Sequence, residues 1–387
     1  MKKITFVIPS RNNLEFIKLA YKSIKDLIGD HDILILNDAS TDGTLEWLES
    51  LNDDALLIHN NPGPERIGIV GMFDKGIALA RTEIIMAFHS DMVASPKLDV
   101  NILKHLKPGT VVSATRVEPP LHPPGQEKVT MNFGMEVVDF VAKDWIAWCK
   151  NLPDEFSRTT EGIFAPWCMY KKDFLAVGGH DELFAPQSKE DSDLFNRFQL
   201  AGYKFVQPWD ALVYHFTSRG SRFNKHSGGS TGNNSDEWLQ TTTKNMKNFI
   251  RKWGHMVKHD EYMKPIIPPK YNIAIVVKNC TMEQVNLLEP WGDYIYVDCD
   301  YSEFVKSEQD NTIMDISKRI FPISAEVNSD IEIRVDGKTF TKYDQSYLFE
   351  IASIIEDNKI EEKDWGFSFR LGNLEIKINR VITCNIS

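Results

Sequence analysis

Short apolar runs alternate with helical apolar patterns along the first part of the chain. Ile4–Ile8 (ITFVI), Ile33–Leu36 (ILIL) and Ile84–Phe88 (IIMAF) are runs of strand length. Because residues this apolar must be shielded from water, we expect buried strands of a sheet. Between the first two runs, apolar residues at three- and four-residue spacing predict an amphipathic helix. These residues are Ile17, Ala20, Tyr21, Ile24 and Leu27. The pattern predicts an α/β fold.

Polar residues follow each of these predicted strands directly. The segments are Pro9–Arg11, Asn37–Asp38 and His89–Asp91. Open α/β sheets bind ligands at the carboxyl ends of their strands, so we expect Asp38 and His89–Asp91 beside a ligand crevice. Asp91 is then suited to hold a divalent cation against a phosphate. Asp38 can accept a hydrogen bond from a base-ring or ribose donor. The alternative, ordinary turn residues, stays open for each.

A further acidic segment begins a predicted helix at Glu190–Asp193, and Gly202 ends that helix. The helix dipole favours carboxylates in the first turn, which by itself explains Glu190 and Asp193. Asp191 differs, because a base that faces the crevice can take a proton from an incoming hydroxyl. Asp42, in the turn after ILIL, is explained equally well as a helix cap.

Several motifs now stand in a recognisable order. They are VIPSRNN, LNDASTDGT, a helix with Gly68 and Asp74, FHSDM, GGHDELF and KEDSDLFNRFQLAGY. Over about residues 1–225 this order resembles the family 2 glycosyltransferases with the GT-A fold. The resemblance implies a Rossmann-like mixed sheet with helices on both faces. It also implies a nucleoside-diphosphate sugar donor and inversion at the anomeric carbon.

The resemblance implies a role for individual residues. Asp191 resembles the catalytic base, Asp91 the last aspartate of a DXD motif that binds Mn²⁺ or Mg²⁺, and His215 an additional metal ligand of some relatives. The implied donor-nucleotide residues are Pro9, Ser10, Arg11, Asp38, Gly68, Asp74 and Ser90. We assign Glu190 and Trp167 to the acceptor side, although a core tryptophan is the commoner explanation for Trp167.

Two positions depart from the family pattern. His89 stands where the first carboxylate of the DXD motif is expected. It could be a weaker metal ligand, a phosphate donor or a polar residue at a strand end. Asp74 stands where the family often has asparagine, which adds charge near the donor. His215, between Tyr214 and Phe216, could equally be a satisfied core histidine.

Composition narrows the class of protein. The chain has 387 residues, 42% of them hydrophobic, and a net charge of −11. The length predicts more than one domain, or one large domain with an appendage, and the acidic balance argues against a nucleic-acid acceptor. No apolar stretch approaches the ~18 residues of a membrane span, and Ile4–Ile8 is too short for a signal peptide. The cysteines are odd in number and lack a CxxC motif, which predicts free thiols in the cytoplasm. They are Cys149, Cys168, Cys280, Cys299 and Cys384.

The pattern divides the chain into three predicted parts. Residues 1–235 form the GT-A domain, 236–269 a helical extension and linker, and 270–387 a small C-terminal α/β domain. A helix over Glu237–Trp253 precedes Pro265–Pro269, which is typical of a domain joint. Residues 270–387 contain no catalytic motif, and we assign them to acceptor binding or homo-oligomerisation.

Two loops within residues 1–235 are predicted to lie at the site. Thr217–Asn234 is rich in Gly, Ser and Asn and contains Arg219 and Arg222. It could be a flexible solvated loop, but its position predicts a loop that orders over a diphosphate when the donor binds. The four prolines of Pro119–Gln126 exclude a regular helix, and we expect this loop at the acceptor side.

Within 270–387, apolar runs predict strands and helical spacing predicts two helices. The strands are Tyr271–Lys278, Tyr294–Val297, Ile331–Val335, Gly366–Leu371 and Leu374–Ile378. The helices are Asp315–Ile320 and Tyr347–Ile355. Asp336-Gly337 and Gly372-Asn373 are typical of hairpin turns.

We therefore predict a metal-dependent inverting glycosyltransferase. It moves a sugar from a nucleoside-diphosphate sugar, with a UDP-sugar favoured, to a hydroxyl acceptor such as a saccharide. A non-catalytic nucleotide- or glycan-binding protein on the same fold is the alternative. The joint presence of Asp38, Asp91 and Asp191 argues against it. A further alternative keeps the chemistry and takes a modified nucleobase or a protein as acceptor.

Overall fold

The computed structural model of the protein describes residues 1–358 and 365–381. Within this range the chain divides into two compact units. Unit 1 comprises Met1–Thr242 and His259–Ile266, and unit 2 comprises Thr243–Lys258 and the described residues from Ile267 onward. The predicted limits at residues 235 and 270 stay a prediction.

Unit 1 contains two sheets built from twelve strands. The strands are β1 (Ile4–Ser10), β2 (Asp32–Asp38), β3 (Leu56–Asn61), β4 (Ile84–Ala87), β5 (Met92–Ala94), β6 (Thr110–Ser113), β7 (Thr115–Glu118), β8 (Lys128–Thr130), β9 (Thr159–Thr160), β10 (Trp167–Tyr170), β11 (Lys204–Pro208) and β12 (Leu212–His215). The large sheet has the order β3-β2-β1-β4-β10-β6-β11-β9. The small sheet has the order β5-β12-β7-β8.

The large sheet confirms the predicted mixed α/β class. Its strand β1 is parallel to β2 and to β4, whereas β10 is antiparallel to β4 and β6. The predicted strands at Ile4–Ile8, Ile33–Leu36 and Ile84–Phe88 are confirmed, and all three are buried. Because β1, β2 and β4 run in the same direction, their carboxyl ends open on one edge of the sheet.

Pairing in the small sheet brings distant residues together. In the antiparallel pair of β12 and β5, His215 lies opposite Met92, so it is next to Asp91. In the parallel pair of β12 and β7, Tyr214 lies opposite Val117, which brings Glu118 beside His215. The small sheet therefore joins the end of β4 to β12.

Eight helices accompany these strands. They are α1 (Leu14–Lys25), α2 (Thr44–Ser50), α3 (Ile69–Leu79), α4 (Leu98–His105), α5 (Ala142–Lys150), α6 (Lys171–Ala176), α7 (Glu190–Leu200) and α8 (Asp236–Trp253), the last of which contains the division between the units. The Asp42 carboxylate accepts the backbone N–H of Leu14 at 2.8 Å and the N–H of Thr44 at 3.2 Å. Asp42 therefore bonds the first N–H of α1 and of α2, which gives it a structural role at both helix starts.

Unit 2 is a second α/β body with one sheet. Its strands are β13 (Ile273–Lys278), β14 (Tyr294–Val297), β15 (Ile320–Pro322), β16 (Ile331–Asp336), β17 (Ser368–Leu371) and β18 (Leu374–Ile378), in the order β15-β14-β13-β16-β18-β17. Its helices are α9 (Met282–Leu288), α10 (Ser302–Gln309), α11 (Lys342–Phe349) and α12 (Ile351–Asp357). The first four strands of this order are parallel and the last two pairs are antiparallel.

The strand predictions in unit 2 are confirmed, but three other predictions need correction. The helix expected over Asp315–Ile320 is one short 3₁₀ turn, Ile316–Lys318, followed by β15. The helix expected over Tyr347–Ile355 is two helices that meet at Glu350. The hairpin expected at Asp336-Gly337 is wrong, because the chain leaves β16 and begins α11 with a capping box at Thr341. The Gly372-Asn373 hairpin is confirmed.

No helix in residues 1–358 and 365–381 is long and apolar enough to cross a membrane. Cys149, Cys168, Cys280 and Cys299 carry free thiols. Cys384 lies outside the described residues.

A buried ion cluster ties α8 to the rest of unit 2. Arg251 donates from Nη2 to Glu289 and to Glu308, both at 2.6 Å. Arg319 donates from Nε to the same Glu289 at 2.6 Å. Arg251 is 2% exposed and Glu289 is fully buried. Each charge is therefore tolerated only because its partners are present.

We expect Arg251→Met to destabilise unit 2 by about 3–5 kcal/mol, because it leaves two buried carboxylates short of a partner. Denaturant unfolding followed by circular dichroism measures this change. Arg370→Met is the matched control, since the Arg370 side chain is 78% exposed and its pair with Glu375 is long, at 3.8 Å. An unfolding midpoint shared by Arg251→Met and the wild type would contradict the prediction.

Candidate active site

A cavity of about 420 Å³ lies at the carboxyl edge of β1, β2 and β4. Of the twelve residues predicted for the site, ten line it. They are Pro9, Ser10, Arg11, Asp38, Gly68, Ser90, Asp91, Glu190, Asp191 and His215. The parallel register of β1, β2 and β4 accounts for this convergence, since it places the three strand ends side by side. The roles assigned to these residues stay predictions.

Asp38 holds the segment between β3 and α3 against the cavity. Its Oδ1 accepts hydrogen bonds from the N–H of Ile67 and from Nδ2 of Asn61, both at 2.8 Å. Its Oδ2 accepts the N–H of Gly68, also at 2.8 Å. Gly68 has a φ of +90°, and a Cβ there would lie 2.3 Å from Pro186. Glycine is required at this point, and Asp38 keeps spare acceptor capacity at the cavity wall.

Three side chains of the same cavity form a candidate metal site. His89, Asp91 and His215 each offer one ligand atom, and these atoms lie within 4.8 Å of one another. Nε2 of His215 is 3.5 Å from Oδ1 of Asp91. Oδ2 of Asp91 accepts the backbone N–H of Arg219 at 2.8 Å. The Asp91 carboxylate is therefore anchored on one side and faces the two imidazoles with the other.

Glu118 supports the His215 ring at its Nδ1 atom. Its Oε1 lies 2.8 Å from Nδ1 of His215 and 2.9 Å from Nη1 of Arg116. Its Oε2 accepts a hydrogen bond from Nζ of Lys128 at 2.8 Å. A carboxylate on Nδ1 is the usual support for a histidine that ligates a metal through Nε2. The donor set of nitrogen and oxygen atoms, with this support, fits a divalent cation.

The protonation states follow from burial and from these partners. Burial disfavours imidazolium at His215, but the carboxylates of Asp91 and Glu118 outweigh it and raise the pKa of His215 to about 9. Burial opposes ionisation of Asp91, but His215, His89 and the Arg219 N–H lower the pKa of Asp91 to about 2. Burial lowers the pKa of His89 below its ordinary value, which keeps that imidazole neutral at pH 7. A cation between these groups would replace the proton of His215.

The start of α7 carries the acidic pair into the cavity. Ser188 and Lys189, just before it, have φ values of 77° and 72°, in the left-handed region. Backbone strain of this kind is concentrated at functional sites. Oε2 of Glu190 is buried and has no hydrogen-bond partner among the described residues. Asp191 follows it in the same helical turn and also lines the cavity.

We expect the stability of the protein to fall with rising pH because of Glu190. Burial, and then the nearby charge of Asp191, raise the pKa of Glu190 from 4.5 to about 8. The unfolded chain loses this proton near pH 4.5 and the folded chain only near pH 8, so stability is lost as the pH rises between them. Glu190→Gln has no titrating group at this position. The Tm of the variant minus the Tm of the wild type should therefore increase between pH 5 and pH 9. Glu15→Gln, at an exposed position of α1, is the control. A Tm difference for Glu190→Gln that does not change with pH would contradict the prediction.

Two predicted site residues lie elsewhere. The carboxylate of Asp74 accepts the N–H of His180 at 3.1 Å and contacts its Nδ1 at 2.6 Å, so Asp74 supports the Gly178-Gly179 turn. Trp167 is 1% exposed in the core, where its ring stacks on Phe174. Neither side chain lines the cavity, so neither enters the proposed site.

Several cavity residues were missed by the sequence analysis. They are Arg66, Arg116, Glu118, Lys128, Phe164 and Trp238. Two others, His122 and Arg222, lie in loops that the sequence analysis described, but neither residue was assigned to the site. Arg116 lies 3.7 Å above the ring of Phe164, and Arg222 lies 4.3 Å above the ring of Trp238. The alternation within the short strands β7 and β8 is too brief to reveal that their charged side chains face a ligand.

Part of the chain is similar to a known protein family. Residues 5–176 match the model of the family described as glycosyl transferase family 2. The match extends from β1 to the end of α6. The match covers less than half of the chain and supports the predicted glycosyltransferase class for this part of it. A search among curated protein sequences gives no significant match.

Two solved structures are similar to part of this chain. One is the mannosyltransferase PcManGT from Pyrobaculum calidifontis in complex with GDP-Man and Mn²⁺. Its sequence is 18% identical and its TM-score is 0.38, and the similarity covers 55% of this chain and 56% of that chain. The other is S. aureus TarS 1-349 in complex with UDP, with 13% identity and a TM-score of 0.41 over 55% and 60%. The chain thus matches little more than half the length of either protein.

Proposed function

We propose that the protein is a metal-dependent inverting glycosyltransferase that uses a nucleoside-diphosphate sugar as donor. The observation that carries this proposal is the convergence of two features in one cavity. They are the His89, Asp91 and His215 group and the acidic start of α7. A cation site next to a carboxylate base is what transfer of a sugar from a diphosphate requires.

Donor binding follows from the charges around the cavity. Arg11, Arg66 and Arg222 line it and can pair with phosphate oxygens. Asp38 has remaining acceptor capacity for a base or ribose donor. Ser10, whose Oγ is buried without a partner among the described residues, offers a further polar contact. A UDP-sugar remains the favoured donor.

In the proposed transfer step, the base and the metal ligands have separate roles. Asp191 accepts the proton of the acceptor hydroxyl, whose oxygen then bonds to the anomeric carbon. The bond from that carbon to the diphosphate breaks at the same time, and the configuration inverts. His89, Asp91 and His215 would hold a cation, which when bound supplies charge neutralisation for the departing diphosphate.

The acceptor faces the wall formed by Phe164, Arg116 and His122. His122 comes from Pro119–Gln126, the loop expected on the acceptor side, and its ring stacks on Phe223 with centroids 5.8 Å apart. A mixture of ring faces and hydrogen-bond donors suits the hydroxyls of a saccharide. Glu190, which also lines the cavity, is proposed to contact the acceptor.

The free thiols at Cys149, Cys168, Cys280 and Cys299 support a reducing compartment, and we place the protein in the cytoplasm. The assignment of residues 270–387 to acceptor binding or homo-oligomerisation stays a proposal.

The experiment that tests the function is incubation of the protein with a panel of UDP- and GDP-sugars and Mn²⁺. We expect slow release of nucleoside diphosphate from one donor, faster release with a saccharide acceptor, and loss of release when EDTA is present. Binding of a sugar nucleotide without release, with every acceptor tested, would favour the non-catalytic alternative.

A further inference from the structure

The candidate metal site offers more nitrogen than oxygen donor atoms. Two of the three side chains, His89 and His215, offer imidazole nitrogen, and only Asp91 offers a carboxylate. All three ligand atoms lie within 4.8 Å of one another, which one ion can span. The preference of the site among ions therefore depends on its imidazole nitrogens as much as on its carboxylate oxygen.

His89 is free to act as a ligand. Among the described residues its ring makes no hydrogen bond, while its position is set by aromatic neighbours. The Phe73 ring lies 6.1 Å from it and the His215 ring lies 6.0 Å from it in an edge arrangement. The ring is thus held in place by packing, and its nitrogens remain available to an ion.

The other two ligands are restricted to one atom each. Oδ2 of Asp91 accepts the Arg219 N–H at 2.8 Å, which leaves Oδ1 for an ion. Nδ1 of His215 lies 2.8 Å from Glu118, which leaves Nε2, the nitrogen 3.5 Å from that same Oδ1. The protein therefore offers two nitrogens and one oxygen, and it leaves the remaining coordination positions open.

We propose that His89 makes this site selective for first-row transition ions over Mg²⁺, with affinity increasing from Mn²⁺ to Co²⁺. This inference rests on the proposed function for the identity of the site, and it deepens the cofactor assignment. Mg²⁺ requires oxygen ligands and gives up its water reluctantly, so two imidazoles and a single carboxylate bind it weakly. Affinity of imidazole-containing sites rises from Mn²⁺ through Fe²⁺ to Co²⁺.

The test is direct metal binding to the full chain, without any activity measurement. Calorimetric titrations with Mg²⁺, Mn²⁺ and Co²⁺, each alone and with UDP or GDP, give the affinities. We expect Co²⁺ to bind at least about 100-fold more tightly than Mg²⁺, a difference of about 2.7 kcal/mol. Pulsed EPR of the Mn²⁺ complex should show ¹⁴N couplings from two imidazoles.

His89→Asp restores a second carboxylate and should lower the ratio of Co²⁺ to Mg²⁺ affinity by at least about tenfold, a change of about 1.4 kcal/mol. It should also remove one of the two ¹⁴N couplings. His259→Asp makes the same change at an exposed histidine outside the cavity and should leave the ratio unchanged. His89→Gln serves as a second variant if His89→Asp does not fold.

The inference is overturned if Mg²⁺ binds the wild type as tightly as Co²⁺, if no ion binds, or if only one imidazole couples to Mn²⁺. These outcomes are distinct from failure of the proposed function. A protein that shows two couplings and the expected preference, but releases no diphosphate from any donor, would retain the metal assignment and lose the enzymatic one.

Discussion

Asp191→Asn is expected to lower the rate of sugar transfer by about 10²–10⁴-fold, the usual contribution of a general base. Asp191 lies in the first turn of α7 and lines the cavity, so its carboxylate can receive the proton of the acceptor hydroxyl. An amide of the same shape cannot accept that proton. Donor affinity should change little, because we propose that Asp191 acts on the acceptor and that the arginines of the cavity pair with the diphosphate.

Turnover is measured as release of nucleoside diphosphate in the presence of acceptor, and donor affinity by calorimetry. Asp54→Asn, at an exposed carboxylate between α2 and β3, is the matched control. Proton NMR of the product should show an inverted anomeric configuration. A fully active Asp191→Asn protein, or a product of retained configuration, would show that the assignment of the base is wrong.

Asp91→Asn is expected to abolish the metal-dependent part of nucleoside-diphosphate binding. Asp91 supplies the one carboxylate of the ligand group, and its loss leaves two imidazoles without a negative charge. Folding should be preserved, because the amide oxygen can still accept the Arg219 N–H and Glu118 still contacts His215.

Calorimetric titration of UDP and GDP, with Mn²⁺ and with EDTA, measures the effect. The wild type should bind more tightly with Mn²⁺, whereas Asp91→Asn should bind equally under both conditions with a Tm close to that of the wild type. The Asp54→Asn protein again controls for the loss of one carboxylate. Equal affinity of the wild type with and without Mn²⁺ would refute the metal assignment.

Local pattern accounts for much of unit 1. The apolar runs at Ile4–Ile8, Ile33–Leu36 and Ile84–Phe88 correspond to β1, β2 and β4, and the polar residues after each run line one cavity. The prediction from local pattern succeeds because strongly apolar strands must be buried and because parallel strands end at the same edge of the sheet. Unit 2 was harder to predict, because Asp315–Ile320 is too short for its apolar spacing to distinguish a 3₁₀ turn from a helix.

Pairing between distant strands decided the rest of the site. His215 meets Asp91 only because β12 pairs with β5, and Glu118 supports His215 only because β12 also pairs with β7. The burial of Trp167 and the pairing of Asp74 with His180 are likewise consequences of packing.

The sequence by itself therefore determined the α/β class, the main strands and the carboxylates at their ends, since hydrophobic burial acts on residues close in the chain. Only the tertiary structure decided that His215 lies beside His89 and Asp91, because the contact that brings it there links residues more than a hundred positions apart.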